Sequence, residues 1–149
     1  MIISVSRRTD IPAFYAEWFY NRLRAGYVLV RNPMNVHNVS KVALSPEVVD
    51  AFVFWTKNPL PLMKRLDELA EYPYYFQFTL TGYGKDIEPG LPDKKQTLLP
   101  AFKELAAKIG RQRVIWRYDP IFFSSRYSAE YHLECFEALA AELSGSTER

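Results

Sequence analysis

The chain has 149 residues, with 19 Lys and Arg against 17 Asp and Glu, a hydrophobic fraction of 48% and an aromatic fraction of 15%. That is enough apolar residue for one domain with its own core, and it excludes a disordered or low-complexity chain. A net charge of +2 and one cysteine exclude nucleic-acid binding by charge excess alone, an internal disulfide, and a metal site built from several of its own thiolates.

In chain order, Ile2–Ser6 is an apolar strand-like run that closes on Arg7-Arg8-Thr9-Asp10. The spacing of Tyr15, Trp18, Phe19 and Leu23 predicts a helix over Pro12–Ala25, with that stripe facing the core, Pro12 in the first turn and Gly26 at the stop. Tyr27–Val30 and Val39–Leu44 read as a hairpin-like excursion around the polar turn Asn32–Asn38, which carries His37. Ser45-Pro46-Glu47 opens a single helical turn. A second strand, Ala51–Trp55, closes on Thr56-Lys57-Asn58-Pro59, and Leu60–Tyr72 reads as an amphipathic helix through Leu62, Leu66 and Leu69.

Tyr74–Leu80 alternates Tyr74, Phe76, Phe78 and Leu80 against Tyr75, Gln77 and Thr79. The second face is either half-exposed or the polar interior of a barrel. Gly82–Asp93 is the longest loop, open to a lid or a plain connector; its Gly82-Tyr83-Gly84 lacks the Lys-Ser or Lys-Thr of a phosphate loop. Lys94–Ile109 is a helix with Leu98, Phe102, Leu105, Ala106 and Ile109 inward and Pro100 as an alternative start. Val114–Trp116 is a short buried strand. Ser128 caps a last helix that runs to Leu143 with Cys135, Phe136, Leu139 and Leu143 inward, and Ser144–Arg149 is a frayed tail. His132 and Cys135 share a face of that helix and are expected to pack rather than bind metal. No apolar stretch approaches a membrane span, and Met1 leads straight into a strand; no signal peptide and a cytoplasmic location are expected.

The four main strand runs end alike. Val114–Trp116 is followed by Arg117 and Asp119, which point to one face of an extended chain, and then by Pro120, which has no ladder donor. Helix caps account for Asp10, Thr56, Asn58 and Asp119. They do not account for Arg7, Arg8, Lys57 and Arg117, because cations oppose the dipole at a helix N-terminus. These four cations are therefore expected to form an anion-binding rim at the carboxyl edge of a parallel sheet. The candidate ligand site is Arg7, Arg8, Asp10, Thr56, Lys57, Asn58, Arg117 and Asp119, with no catalytic residue assigned.

A competing expectation is that Arg117 and Asp119 pair with each other, or with Asp10, and do no more than orient the strand end. Two other functions stay open. One is a nucleotide or nucleic-acid module in which Arg7, Arg8, Arg31, Lys57 and Arg117 interleave with Trp55, Tyr83 and Tyr118. The other is a metal-assisted barrel enzyme using Asp10, His37 and Asp119.

Three motifs carry a resemblance: Ser6-Arg7-Arg8-Thr9-Asp10-Ile11-Pro12, Phe54-Trp55-Thr56-Lys57-Asn58-Pro59 and Arg117-Tyr118-Asp119-Pro120-Ile121. Together they resemble a bacterial "domain of unknown function" family whose members run to roughly twice this length and bear a C-terminal cysteine cluster like that of radical S-adenosylmethionine enzymes. The Thr-Lys and Arg-x-Asp-Pro-Ile pieces are also similar to parts of spore photoproduct lyase, a radical enzyme that repairs DNA.

The resemblance implies that residues 1–149 are a single α/β domain, the N-terminal half of a longer barrel protein, matching the family without its cysteine cluster. A full (β/α) barrel needs about 250 residues. The expected fold is thus a partial barrel of TIM or radical-SAM-like type, with a mostly parallel sheet and about four to five βα units. Its open edges would be covered by further chain or by a homo-oligomer. No cofactor is expected within these residues; S-adenosylmethionine and an iron–sulfur cluster are implied for a full-length protein, and an anionic small molecule or nucleotide is the expected partner.

Overall fold

A computed structural model describes all residues, 1–149. Its main sheet has four strands, β1 (Ile2–Ser4), β4 (Ala51–Thr56), β5 (Tyr74–Thr79) and β6 (Val114–Arg117), all parallel and in that order. Between β1 and β4 lie α1 (Ile11–Phe14), α2 (Ala16–Ala25) and an antiparallel hairpin of β2 (Tyr27–Arg31) and β3 (Val39–Ala43). The short α3 (Leu60–Met63) links β4 to β5, α4 (Leu99–Ile109) links β5 to β6, and α5 (Ala129–Leu143) follows β6. The protein is a mixed α/β fold with an open parallel sheet, not a closed barrel.

The period-two alternation of the strands decides which face is dry. Phe52, Phe54, Phe76, Phe78 and Val114 point to one face, fully buried. Phe19 of α2 meets Phe52 and Phe54 edge-on at 5.5 and 5.3 Å, and Phe102 of α4 lies 5.0 Å from Phe78. Leu62 of α3 and Leu143 of α5 belong to the same core. All helices therefore cover one face. On the other face Ser4, Trp55, Tyr75, Gln77, Thr79, Ile115 and Arg117 are partly or wholly exposed, and Val53 is buried among them.

Several elements differ from their sequence reading. The helix expected over Pro12–Ala25 breaks at Tyr15, whose φ of −134° is not helical. That break turns Tyr15 and Trp18 outward, half exposed, and puts Tyr20 in the core beside Phe19 and Leu23. Tyr20 stays dry because its hydroxyl donates to the Leu62 carbonyl at 2.8 Å. The helix expected over Leu60–Tyr72 is α3 and a separate 3-10 turn, Leu66–Leu69, with a non-helical Arg65 between them (φ −139°). Leu62, Leu66 and Leu69 are nevertheless buried, so the apolar spacing held while the hydrogen-bond ladder did not.

Lys94–Leu98 is a π-helical turn and the α-helix proper begins at Leu99, with Pro100 in its first turn, where no amide donor is needed. The five inward residues expected there are all buried. On α5, Leu143 is buried, but Cys135 and Leu139 are only half-buried and Phe136 is exposed at its edge while stacking on Trp116 at 4.8 Å. The helix lies over the last strand of the sheet and has no neighbour on its outer side. Ser144–Arg149 is not frayed: Thr147 Oγ1 donates to the Val114 carbonyl at 2.6 Å, and the Trp116 amide donates to the Arg149 carbonyl at 2.9 Å. The tail thus occupies part of the free edge of β6.

Candidate functional site

Because the four strands are parallel, their C-terminal loops share one rim. Asp10 caps α1 by accepting from the Ala13 amide at 3.0 Å, and its second carboxylate oxygen accepts from the Lys57 amide at 2.7 Å. It joins the loop after β1 to the loop after β4. Burial pushes its carboxyl above the ordinary aspartate range, against the lowering effect of those amides. Thr56 is buried and accepts from the Asn58 amide at 3.0 Å, and Asn58 accepts from the Leu60 amide at 3.2 Å. These three expected site residues shape turns, as the capping explanation requires. Asp10→Ala is expected to lower stability by about 1 kcal/mol, the usual cost of a lost cap. Asp10→Asn, which keeps an acceptor, should lose less; urea unfolding of the two variants checks this.

Lys57 does not stand free on the rim. Its Nζ pairs with Glu88, and Lys94 Nζ pairs with the other oxygen of the same carboxylate. Glu88 also accepts from Thr81 Oγ1 at 3.2 Å, and Lys94 Nζ donates to the carbonyls of Thr81 at 2.9 Å and Tyr83 at 2.6 Å. Burial alone would push Glu88 up; the two ammonium groups more than offset this and hold its carboxyl below the usual range. The centre had no sequence signal, since Glu88 falls in the Gly82–Asp93 loop. That loop is a packed connector, with the Glu88 amide bonded to the Gly84 carbonyl at 2.9 Å and the Gly84 amide to Tyr127 Oη at 3.1 Å. Gly82 is needed for close approach, since a Cβ there would lie 2.7 Å from Cys135 Sγ. Packing, not phosphate binding, accounts for it.

Arg8 is also committed elsewhere: its guanidinium donates to the Arg31 carbonyl and ties the loop after β1 to the hairpin. What gathers on the open face is Arg7, Trp55, Arg117 and Asp119. Arg117 lies over the Trp55 ring, 4.3 Å from its centre, and its Nε donates to Asp119 Oδ1 at 2.7 Å while Nη2 bonds Oδ2. This bidentate pair draws Asp119 below the ordinary carboxylate range and Arg117 above its own, with Lys57 adding to the first effect. The Nη1 end of the fork stays free. On the β1 side of Trp55, a pocket of about 240 Å³ is lined by Ser4, Ser6, Arg7 and the indole. Ser6 Oγ is buried without a hydrogen-bond partner. Such a group costs about 1–3 kcal/mol unless something fills the need.

Of the three aromatic residues of the nucleic-acid expectation, Trp55 is exposed on the open face, while Tyr83 and Tyr118 are engaged within the protein. Tyr83 is buried against Phe122 at 4.7 Å, and Tyr118 Oη bonds His132 Nδ1 at 3.0 Å. His132 is buried, and its Nε2 faces the Phe122 carbonyl at 3.1 Å, so it is the proton donor there and Nδ1 accepts from Tyr118. Asp10, His37 and Asp119 do not assemble: His37 is exposed in the hairpin turn, and no three His, Cys, Asp or Glu side chains gather to hold a metal.

Fold and site together define an open, singly covered parallel α/β protein with a charged, indole-bearing strand edge. It belongs to a family described as "Domain of unknown function (DUF1848)", whose family model matches residues 2–149. No curated protein and no solved structure matches the chain. No helix is long and apolar enough to cross a membrane.

Proposed function

We propose that this domain binds a small anionic ligand of nucleotide type on the open face of its sheet, as the substrate- or cofactor-binding part of a larger enzyme. The observation that carries this is the meeting of Arg7, Trp55 and the Arg117–Asp119 pair, which come from three strands and lie at one end of one uncovered face. Guanidinium groups meet phosphate or carboxylate, a carboxylate accepts from ribose hydroxyls or an ammonium group, and an indole supplies a π-face. Parallel sheets are normally covered on both faces. A bare face turning polar toward the strand ends is what the wall of a barrel offers its interior. Sequential strand order with all helices outside fits a partial (β/α) barrel.

The resemblance of its motifs to a family with a radical S-adenosylmethionine-type cysteine cluster supplies the context for this reading. The residues here do not fit an iron–sulfur cluster, which is held by several thiolates: Cys135 is the one cysteine and is half-buried beneath Gly82. Radical chemistry in this family would need thiolates from outside these residues. S-adenosylmethionine itself has a carboxylate, an ammonium group and ribose hydroxyls of the kinds that Arg7, Arg117 and Asp119 bind.

AMP is the probe of choice. Its addition is expected to quench the fluorescence of wild-type protein, and the quench is expected to disappear in Trp55→Phe, which retains Trp18 and Trp116. Fluorescence insensitive to millimolar AMP in the wild type would remove the nucleotide reading.

A further inference from the structure

We propose that Ser4, Ser6 and Arg7 form a subsite for a tetrahedral oxyanion, the phosphate monoester of a nucleotide or a sugar phosphate. The inference rests on the reading of the strand edge as a ligand site, and it names the group that enters first. Ser4, the last residue of β1, and Ser6, in the turn that follows it, both line this pocket, and Arg7 follows them at its rim. The Val5 amide between them donates to the Val53 carbonyl at 3.0 Å, which ties the start of the turn after β1 to β4.

Three features separate this pocket from an ordinary surface dimple. Ser6 Oγ is shut off from solvent and bonded to nothing, so a turn of the side chain about its Cα–Cβ bond toward the pocket its residue lines would give it a partner that it now lacks. Arg7 is exposed, whereas the neighbouring Arg8 donates to Arg31, Lys57 pairs with Glu88, and Arg117 pairs with Asp119. The fourth wall is the Trp55 indole, which keeps water off one side and carries Arg117 above it.

Two hydroxyls and a guanidinium are all able to donate, and no carboxylate lines the pocket. A planar carboxylate offers two oxygens, whereas a phosphate monoester offers three that are not coplanar, and the donors here are three. The Arg117–Asp119 pair beyond the indole would then meet the ribose or sugar hydroxyls attached to that phosphate.

The test compares AMP, adenosine and inorganic phosphate by calorimetric titration and thermal unfolding, using wild type, Ser6→Ala and Arg7→Gln, with Lys103→Gln, on the far side of the protein, as a charge control. Wild type is expected to bind AMP at least tenfold more tightly than adenosine and to gain thermal stability from phosphate alone. Both subsite variants should bring AMP to the adenosine level while leaving adenosine unchanged. Without any ligand, Ser6→Ala should be at least as stable as wild type, because it removes an unpaired buried hydroxyl; a purely structural serine would lower the melting temperature instead.

Equal affinity for AMP and adenosine, with no response to phosphate, would overturn the subsite and leave the strand-edge reading standing. A phosphate response unchanged by both variants, or lost equally in Lys103→Gln, would overturn it too. A phosphate response without any nucleoside binding would keep the subsite and remove the nucleotide reading. Silence from all three probes would end both.

Discussion

Replacing Glu88 by glutamine is expected to lower the unfolding free energy by about 3 kcal/mol, at the low end for a broken buried ion pair because the two lysines keep some water. The Glu88 side chain is 7% exposed, and Lys57 and Lys94 are 36% and 22% exposed. Glutamine preserves the shape and one acceptor but leaves two ammonium groups facing a neutral amide. The same carboxylate joins the loops after β4 and β5 to the start of the segment leading into α4, so its loss loosens three connections at once.

The pH dependence follows from the sign of the shift. The folded-state pKa of Glu88 is lowered, so its contribution is present above the unfolded glutamate pKa, about 4.3, and fades as the pH falls through the lower folded value. The gap between wild type and Glu88→Gln should be widest near neutrality and narrow below about pH 4. Denaturant melts at pH 7 and pH 3.5 check this. A gap that stays constant across that interval would show that Glu88 acts through packing alone.

Arg117→Ala is expected to weaken AMP binding by about 30-fold, about 2 kcal/mol, the scale of a hydrogen bond to a charged group. The Arg117–Asp119 pair is partly solvated, with side chains 30% and 46% exposed, so its contribution to folding is small beside that loss. Arg117→Lys keeps the charge but neither the flat stack on Trp55 nor the fork toward Asp119, and should recover only a minor part of the affinity. The pairing of Arg117 with Asp119 is also what a purely orienting strand-end ion pair would look like. The two roles part under measurement: a large drop in melting temperature with AMP affinity intact would assign the pair to folding.

Much of the fold was legible because apolar period alone dictates it. The alternation of Phe76, Phe78 and Leu80 against Gln77 and Thr79 marks both faces of β5, and the stripe from Leu98 to Ile109 marks the buried side of α4. Backbone breaks were less legible: neither Tyr15 nor Arg65 is a helix breaker by residue type, and each leaves the helical region where the chain must turn to reseat its apolar face. Among the candidate site residues, the sequence marked the strand ends but not which cations were already partnered. Lys57 and Arg8 look like Arg7 in one dimension and differ only in what lies beside them in three.

The order of its residues alone determined that this protein is a parallel α/β domain with charged groups at the carboxyl ends of its strands, because strand period, helix stripe and turn chemistry are local properties. Tertiary structure alone decided that Glu88 neutralises Lys57 and Lys94, that Arg117 lies on Trp55, and that Ser6 stands unpartnered beside Arg7. Lys57 meets Glu88, and Trp55 meets Arg117, across tens of positions, and the free energy of a charge or a buried hydroxyl depends on what surrounds it rather than on what precedes it in the chain.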